Sequence, residues 1–353
     1  GLTCRVLEQR KNPVSDSRSL GIHPTSIELF DELNITEPFL KAGLKIKKGL
    51  ALTGKHKLGE ILFEQCPKPH NYILACPQFT TEKILRKELH KLDKNALITQ
   101  AEFQHFTKHE YGVEVFYSTP SQADNQITAA YLVGCDGKNS RVRKTASIHY
   151  SGKRYNDTYM MGDFEDTTDF GSDAVIFLPK AGVIECFPLP NKMRRWVVKT
   201  SSFIEHPSKQ QLAAEVQARI GYKLLEVQHT MLSSFGVQHF MAETFAKGRI
   251  LLAGDAAHVV SPIGGQGMNI GWLDDRELAR TLARIITGKD DPYHNQVLLK
   301  AYSDKQQKIT QKAARRAELN MALGRKTSLP FLRNLLLKIM LHSPLRQKAA
   351  EAY

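Results

Sequence analysis

Two stretches of this 353-residue chain set an apolar run, a carboxylate and glycines in an order suited to holding a polar, phosphate-bearing ligand. The first is Asp136-Gly137-Lys138-Asn139-Ser140-Arg141-Val142-Arg143, directly after the apolar run Ala129 to Cys135. Gly137 permits a tight turn, and the Ser140 hydroxyl can cap a following helix. Arg141 and Arg143 bring charge to that helix start, where a pyrophosphate could sit. An ordinary Asp-Gly turn is the bland alternative. The second stretch runs from Gly248 through Gly254-Asp255-Ala256-Ala257-His258 to Pro262-Ile263-Gly264-Gly265-Gln266-Gly267-Met268-Asn269. A buried strand there delivers Asp255 to its carboxyl end, where the carboxylate can accept hydrogen bonds from a polyol. Gly264, Gly265 and Gly267 leave backbone N–H groups uncovered ahead of a helix expected from Asn269, a surface for a flat ring with partial negative charge.

The elements that must position these residues follow from periodicity. Cys4 to Leu7 is β-favouring and stops at Glu8, so a strand ends in a carboxylate. Pro24 marks a helix start, with Ile27, Leu29, Phe30 and Leu33 on its apolar face. Thr80 to Leu92 predicts a second helix, capped by Thr80 or Thr81. Leu97 to Phe106 and Val113 to Tyr117 read as antiparallel hairpins. From about Tyr150 to Phe240 short alternating segments (Ala174 to Leu178, Val183 to Phe187, Arg195 to Lys199) predict an antiparallel sheet, and from Asn269 onward the chain reads as nearly continuous helix. No repeat at a fixed period is present.

These motifs resemble those of the FAD-dependent aromatic hydroxylases, the single-component flavoprotein monooxygenases similar to p-hydroxybenzoate hydroxylase. That family carries D-G-x-x-S-x-V-R and, later, G-D-A-A-H-x-x-x-P-x-x-G-Q-G-x-N, both present here at matching spacing. Val6-Leu7-Glu8 is similar to its second strand, Arg18 to its arginine near the flavin, and Gln78 with Thr81-Glu82 and Leu85 to its Q-x-x-T-E-x-x-L segment. The likeness covers about residues 3 to 300, in texture only between 150 and 240. It implies an α/β FAD-binding domain, Rossmann-like and of the glutathione-reductase type, with an inserted α+β substrate domain built on an antiparallel sheet and a helical C-terminus. The expected layout is 1–150 for the first part of the FAD domain (with part of the substrate region around 45–75), 151–240 for the substrate sheet, 241–300 for the second FAD part and 301–353 for basic C-terminal helices.

The same resemblance implies residue roles. Glu8 would bind the adenosine ribose; Arg18 and Gln78 would line the FAD cleft; Asp136 and Gly137 would lie near the pyrophosphate and the approach of NAD(P)H; Asp255 would bind the ribityl chain. Pro262, Gly264, Gly265, Gln266, Gly267, Met268 and Asn269 would surround the isoalloxazine. The implied reaction uses NADPH or NADH and O₂ to hydroxylate an aromatic or polycyclic hydrophobic substrate through a flavin C4a-hydroperoxide, so the cofactor carries the chemistry and no side-chain triad is expected. His258 reads as a support of the loop. Phe177, Phe187, Met193 and Phe235 are the candidate substrate contacts, although alternation does not tell which face of the sheet is the pocket. The family's G-x-G-x-x-G turn precedes the ribose acid by about 20 residues, whereas seven residues precede Glu8. The resemblance therefore implies either a further N-terminal strand and helix before this sequence, the favoured reading, or a remnant unable to hold FAD tightly.

Other classes remain open. The same FAD motifs serve reductases and dehydrogenases of isoprenoids or polyketides; a flavin halogenase is disfavoured, because Trp196 and Trp272 are the only tryptophans and form no W-x-W-x-I-P segment. The net charge of +13 concentrates in the tail, where residues 300–353 hold twelve Lys and Arg against three acids. No helix-turn-helix, finger or aromatic-interleaved basic strand accompanies that charge, which argues against nucleic acid. Leu329, Leu332, Leu335, Leu336, Ile339 and Met340 alternate with Arg325, Lys326, Arg333, Lys338 and Arg346, a mix able either to pack on the chain's own domain or to lie on an anionic membrane surface as an interaction element. Five scattered cysteines without C-x-x-C spacing suggest neither a disulfide framework nor a zinc site; no metal is expected, and a reducing cytosol fits.

Overall fold

The computed structural model describes residues 2–14, 19–65, 69–224, 226–288 and 291–342. Two small parallel pairings position Glu8 and the two motifs, the second pairing carrying both motifs. Val6–Glu8 pairs with Leu97–Thr99, and Leu132–Gly134 pairs with Ile250–Leu252, which Ala246–Lys247 flanks antiparallel. Leu97–Thr99 thus departs from the expected hairpin. The antiparallel meander beside it is formed instead by Glu102–Lys108, Val113–Thr119 and Gln122–Ala129. Gly134 lets the following helix approach closely, since a Cβ there would stand 2.9 Å from Val142 and 3.0 Å from Leu252.

The largest sheet has eight strands, in the order His258–Val259, His229–Ala242, Tyr150–Glu165, Met193–Thr200, Ile184–Leu189, Ala174–Phe177, Lys48–Thr53 and His56–Leu62. Beyond 151–240 it takes in Lys48–Thr53 and His56–Leu62, within the stretch around 45–75 expected to join the substrate region, and, at the other edge, His258–Val259. All its pairings are antiparallel except Ala174–Phe177 with Lys48–Thr53. Strand alternation divides its side chains between two cores. Met160, Phe164, Val175, Phe177, Trp196 and Val198 pack on one face with Leu212, Ala213 and Val216 of helix Lys209–Ile220. That helix is fixed by a Ser208–Gln211 capping box and the left-handed Gly221 at its end. The other face carries Tyr159, Met161, Val183, Val197 and Val237, and its cluster takes in Ile263, Met321 and Leu337 from outside the sheet.

Three helices end the described part of the chain: Gln266–Thr287, Pro292–Gly324 and Pro330–His342. The middle one buries a single stripe that includes Leu299, Tyr302, Gln306, Ala313, Ala317 and Met321. Tyr302 donates to the Leu252 carbonyl at 3.1 Å, while the Ser303 hydroxyl accepts the Phe245 N–H at 2.9 Å, so this helix is stapled to the strand that delivers Asp255. Pro330–His342 buries only Arg333 and Leu337, and leaves Leu332, Leu335, Leu336 and Ile339 exposed. No helix among the described residues is long and apolar enough to cross a membrane. Arg346 lies outside the described residues.

Candidate FAD cleft and the facing sheet

Glu8 ends its strand as expected. One carboxylate oxygen accepts the Arg10 N–H at 2.8 Å; the other lies 3.7 Å from the Arg86 guanidinium and takes no hydrogen bond among the described residues. Helix Gln78–Leu92 starts two residues earlier than its threonines suggested, because Pro77 sets the entry and no side chain caps it. Gln78 is therefore in the first turn, where its Oε1 accepts the Ser19 N–H at 3.3 Å and its own N–H reaches the Ser19 carbonyl. Arg18, the expected neighbour of the flavin, lies outside the described residues.

The Asp136 turn is tied into its own helix. Its carboxylate accepts the backbone N–H groups of Arg141 and Val142 at 2.7 and 3.1 Å, and Ser140 caps Arg143 at 2.9 Å. Gly137 adopts φ +78°, open to solvent. The two arginines differ from the sequence expectation. Arg141 turns away to Glu102 at 2.7 Å, and Arg143 is buried, donating to the carbonyls of Ala256 and Lys138 with its guanidinium 3.7 Å from the Tyr150 ring centre. Arg143 thus links the two motifs and presents no charge to a ligand.

Asp255 opens a short turn, Gly254–Ala256, and no hydrogen bond reaches its carboxylate from the described residues. It touches solvent, yet enough protein surrounds it that burial raises its carboxyl above the ordinary range, against the lowering charges of His258 and Lys138. The same description fits Cys135 and Asp275, both accessible but deep. Burial, then the charges of Asp275, Asp136 and Asp274, push the Cys135 thiol far up; burial, then Asp274, push Asp275 up to about 7. Cys135 and Asp255 follow the C-terminal ends of the two paired motif strands, and Asp275 lies on helix Gln266–Thr287.

The Gly-rich loop corrects the predicted helix start. The helix begins at Gln266, with Gly265 before it at φ +65° and Gly264 at φ +95°, and no side chain caps it. Gly267, Met268 and Asn269 are thus first-turn residues, and the leading N–H groups of a 22-residue helix face outward without a side-chain partner. The Asn269 side chain is buried and fully bonded. Its Oδ1 accepts the His23 N–H and the Ser26 hydroxyl, both at 2.8 Å, and its Nδ2 donates to Gly21 at 2.9 Å and Gly265 at 2.8 Å. Four bonds exhaust an amide. Met268 likewise packs inward, on the core of Phe30, Phe39 and Leu74. His23, buried under Gly265, is held neutral by burial, its pKa lowered to about 4. Pro262 and Gly265 are exposed, Gly264 and Gln266 half-buried, and Ile263 points into the sheet cluster.

Of the four substrate candidates, Phe187 and Phe235 lie on the face that shares its cluster with Ile263, Phe235 stacked on Tyr159 at 5.1 Å. Phe177 is on the opposite face, against Phe170 and Trp196, because it is one residue out of phase with Ile176. Met193 starts its strand opposite Glu165 and Leu189, at the margin beyond the Arg195–Asp163 pair. Sequence reasoning missed Glu185 and Tyr159 on the Ile263 side, and Asp274 as the partner of His258. Glu185 was discoverable, since it sits two residues before Phe187 and must share its face.

The residues fit FAD where they are described: an acid with an open oxygen ends the first strand, an unbonded carboxylate ends the second, and an uncapped helix start follows. No group of His, Cys, Asp and Glu suited to a metal ion occurs among the described residues. Comparison with known proteins agrees. The chain is 30% identical over 305 residues to the uncharacterized aromatic compound monooxygenase YhjG of Bacillus subtilis, covering 83% of this chain and 60% of that protein. It is 30% identical over 296 residues to a rifampicin monooxygenase of Streptomyces venezuelae, covering 82% and 60%. The chain thus spans about 60% of the length of these relatives. Its fold matches p-nitrophenol 4-monooxygenase PnpA from Pseudomonas putida DLL-E4, with a TM-score of 0.88 at 17% identity over 100% of this chain and 91% of that one. The FAD binding domain family matches residues 1–317, and the chain belongs to it.

Proposed function

We propose that this chain carries the FAD site and the substrate-facing sheet of a monooxygenase that uses NAD(P)H and O₂ to hydroxylate an aromatic or polycyclic hydrophobic compound. The observation that carries this reading is the placement of Ile263. It ties the loop at the start of helix Gln266–Thr287 to a sheet face holding Tyr159, Phe235 and Phe187. A ring lying on that face would be next to the loop the family uses for its flavin.

Bound FAD would supply the redox chemistry with O₂. The chain's own contributions are binding, orientation and exclusion of water. Glu8 would accept ribose hydroxyls on its open oxygen and Asp255 those of the ribityl chain, while the uncapped N–H groups from Gln266 would face the electron-rich edge of the ring. The aromatic and aliphatic side chains of that sheet face would hold the substrate flat and exclude water. The relatives' names, an aromatic compound monooxygenase and a rifampicin monooxygenase, support a large or aromatic substrate.

The test is reconstitution of the full chain with FAD, followed by NADPH and NADH oxidation under isotopically labelled O₂ with and without a panel of phenols. Substrate-stimulated oxidation and one labelled oxygen in the product are expected. A product without labelled oxygen overturns the reading in favour of a reductase or dehydrogenase.

A further inference from the structure

Glu185 is the second residue of strand Ile184–Leu189, between Ile176 and Val197 on its neighbouring strands. Its side chain falls on the face of Tyr159, Val197, Phe187 and Phe235, and the residue is 9% exposed. No hydrogen bond or ion pair reaches its carboxylate from the described residues. Burial is the only cause acting on its ionisation, and raises its pKa to about 7. Near it, the Tyr159 hydroxyl is buried and has no hydrogen-bond partner among the described residues.

The remaining charges on this face are satisfied. Arg195 is bonded twice to Asp163, at 2.6 and 2.8 Å. Asp157 takes Lys199 at 2.9 Å and Arg325, beyond the end of helix Pro292–Gly324, at 2.6 Å. Arg333 of helix Pro330–His342 donates to the carbonyls of Leu178 and Pro179. Ile176 and Ala51, on the two strands beyond Glu185, bring no charge. A carboxylate buried without a partner is costly, and folds keep such groups where a ligand completes them.

Resting on the proposed monooxygenase function, we propose that Glu185 and Tyr159 bind the polar end of the aromatic substrate, so that this chain selects rings bearing a hydroxyl and rejects rings bearing a carboxylate. The hydroxyl donates to the Glu185 carboxylate while the ring stacks among Phe235 and Phe187, and the Tyr159 O–H bonds the same oxygen. A ring carboxylate would set two negative charges together in an apolar setting, which costs heavily. No covalent step is involved: Glu185 and Tyr159 are specificity determinants that touch the substrate.

The test is equilibrium dialysis of 2-naphthol and 2-naphthoate against the FAD-loaded full chain without NAD(P)H, at pH 8 and pH 5.5. At pH 8 the preference for naphthol over naphthoate falls about tenfold in Glu185→Gln. At pH 5.5, where Glu185 is protonated, the same substitution leaves that preference within about twofold. Tyr159→Phe weakens naphthol several-fold and leaves naphthalene unchanged. Because the wild-type protein alone should lose preference between pH 8 and 5.5, the proposal is testable even if Glu185→Gln does not fold. An equal preference in wild type and Glu185→Gln at pH 8, a pH-independent wild-type preference, or binding of neither probe overturns it. FAD content and labelled-oxygen incorporation, measured on the same preparations, report separately on the monooxygenase reading.

Discussion

His258 and Asp274 face one another inside the protein: imidazole Nε2 and carboxylate Oδ2 share a hydrogen bond, with the two side chains 1% and 0% exposed. The pair joins the turn that carries Asp255 to the third turn of helix Gln266–Thr287, the helix whose start forms the Gly-rich loop. It is a strut between the two halves of the second motif. Burial raises the Asp274 carboxyl, while hydrogen bonding and charge from His258 oppose the rise.

Removing one partner of such a pair strands the other in an apolar interior. Asp274→Ala is expected to destabilise the protein by about 3–5 kcal/mol, and Asp274→Asn by less, because the amide can still bond the ring nitrogen. Urea unfolding monitored by Trp196 and Trp272 fluorescence measures both. A loss below about 1 kcal/mol for the alanine variant would show that the strut does not hold the turn.

Asp255 predicts the opposite pattern. Its carboxylate has no partner in the described protein and is disfavoured by its surroundings, so Asp255→Asn should leave stability without FAD within about 0.5 kcal/mol of the parent. FAD affinity, read by fluorescence titration, should fall about 10- to 100-fold, the value of a charge-assisted hydrogen bond. Unchanged affinity would remove Asp255 from the cofactor site.

Glu185 and Asp157 give stability opposite dependences on pH. The folded Glu185 titrates at about 7 against an ordinary 4.5. The folded state therefore binds its proton more tightly, and stability from this group falls as pH rises from about 4.5 to about 7 and stays low above. Glu185→Gln should be more stable than the parent at pH 8, by up to about 3 kcal/mol, and equal to it at pH 4.

For Asp157, burial alone would raise the carboxyl, but hydrogen bonds and charge from Arg325 and Lys199 outweigh it and hold it below its ordinary 3.8. Its contribution is present above that value and is lost as pH falls through the lower folded one. Asp157→Asn should be costly at pH 7 and progressively less so as pH falls below 3.8; a cost that does not change with pH would assign the residue a packing role instead.

The two motif strands, the Asp-Gly turn with its Ser140 cap and the helical C-terminal part were legible because each rests on local pattern. Arg143 misled because sequence shows a charge near a helix start but not that Ala256, 113 residues later, supplies a carbonyl to absorb it. The face taken by Phe177 was not legible for a related reason: alternation fixes phase within one strand, whereas the face that meets Ile263 is set by how the sheet docks. Glu185 shares the phase of Phe187, which alternation shows, but its burial without a partner is set by tertiary packing and is visible only in the fold.

Asn269 bears on the order in which the protein assembles. Its bonds to Gly21 and His23 span 248 and 246 residues, so they close only after nearly the whole described chain has condensed, against the entropy of a very long loop. The backbone of Gly265 is held by this same amide. The Gly-rich turn should thus acquire its final shape late in folding, after the sheets and their clusters, and amide exchange at residues 264–269 should be the last in the second motif to become protected.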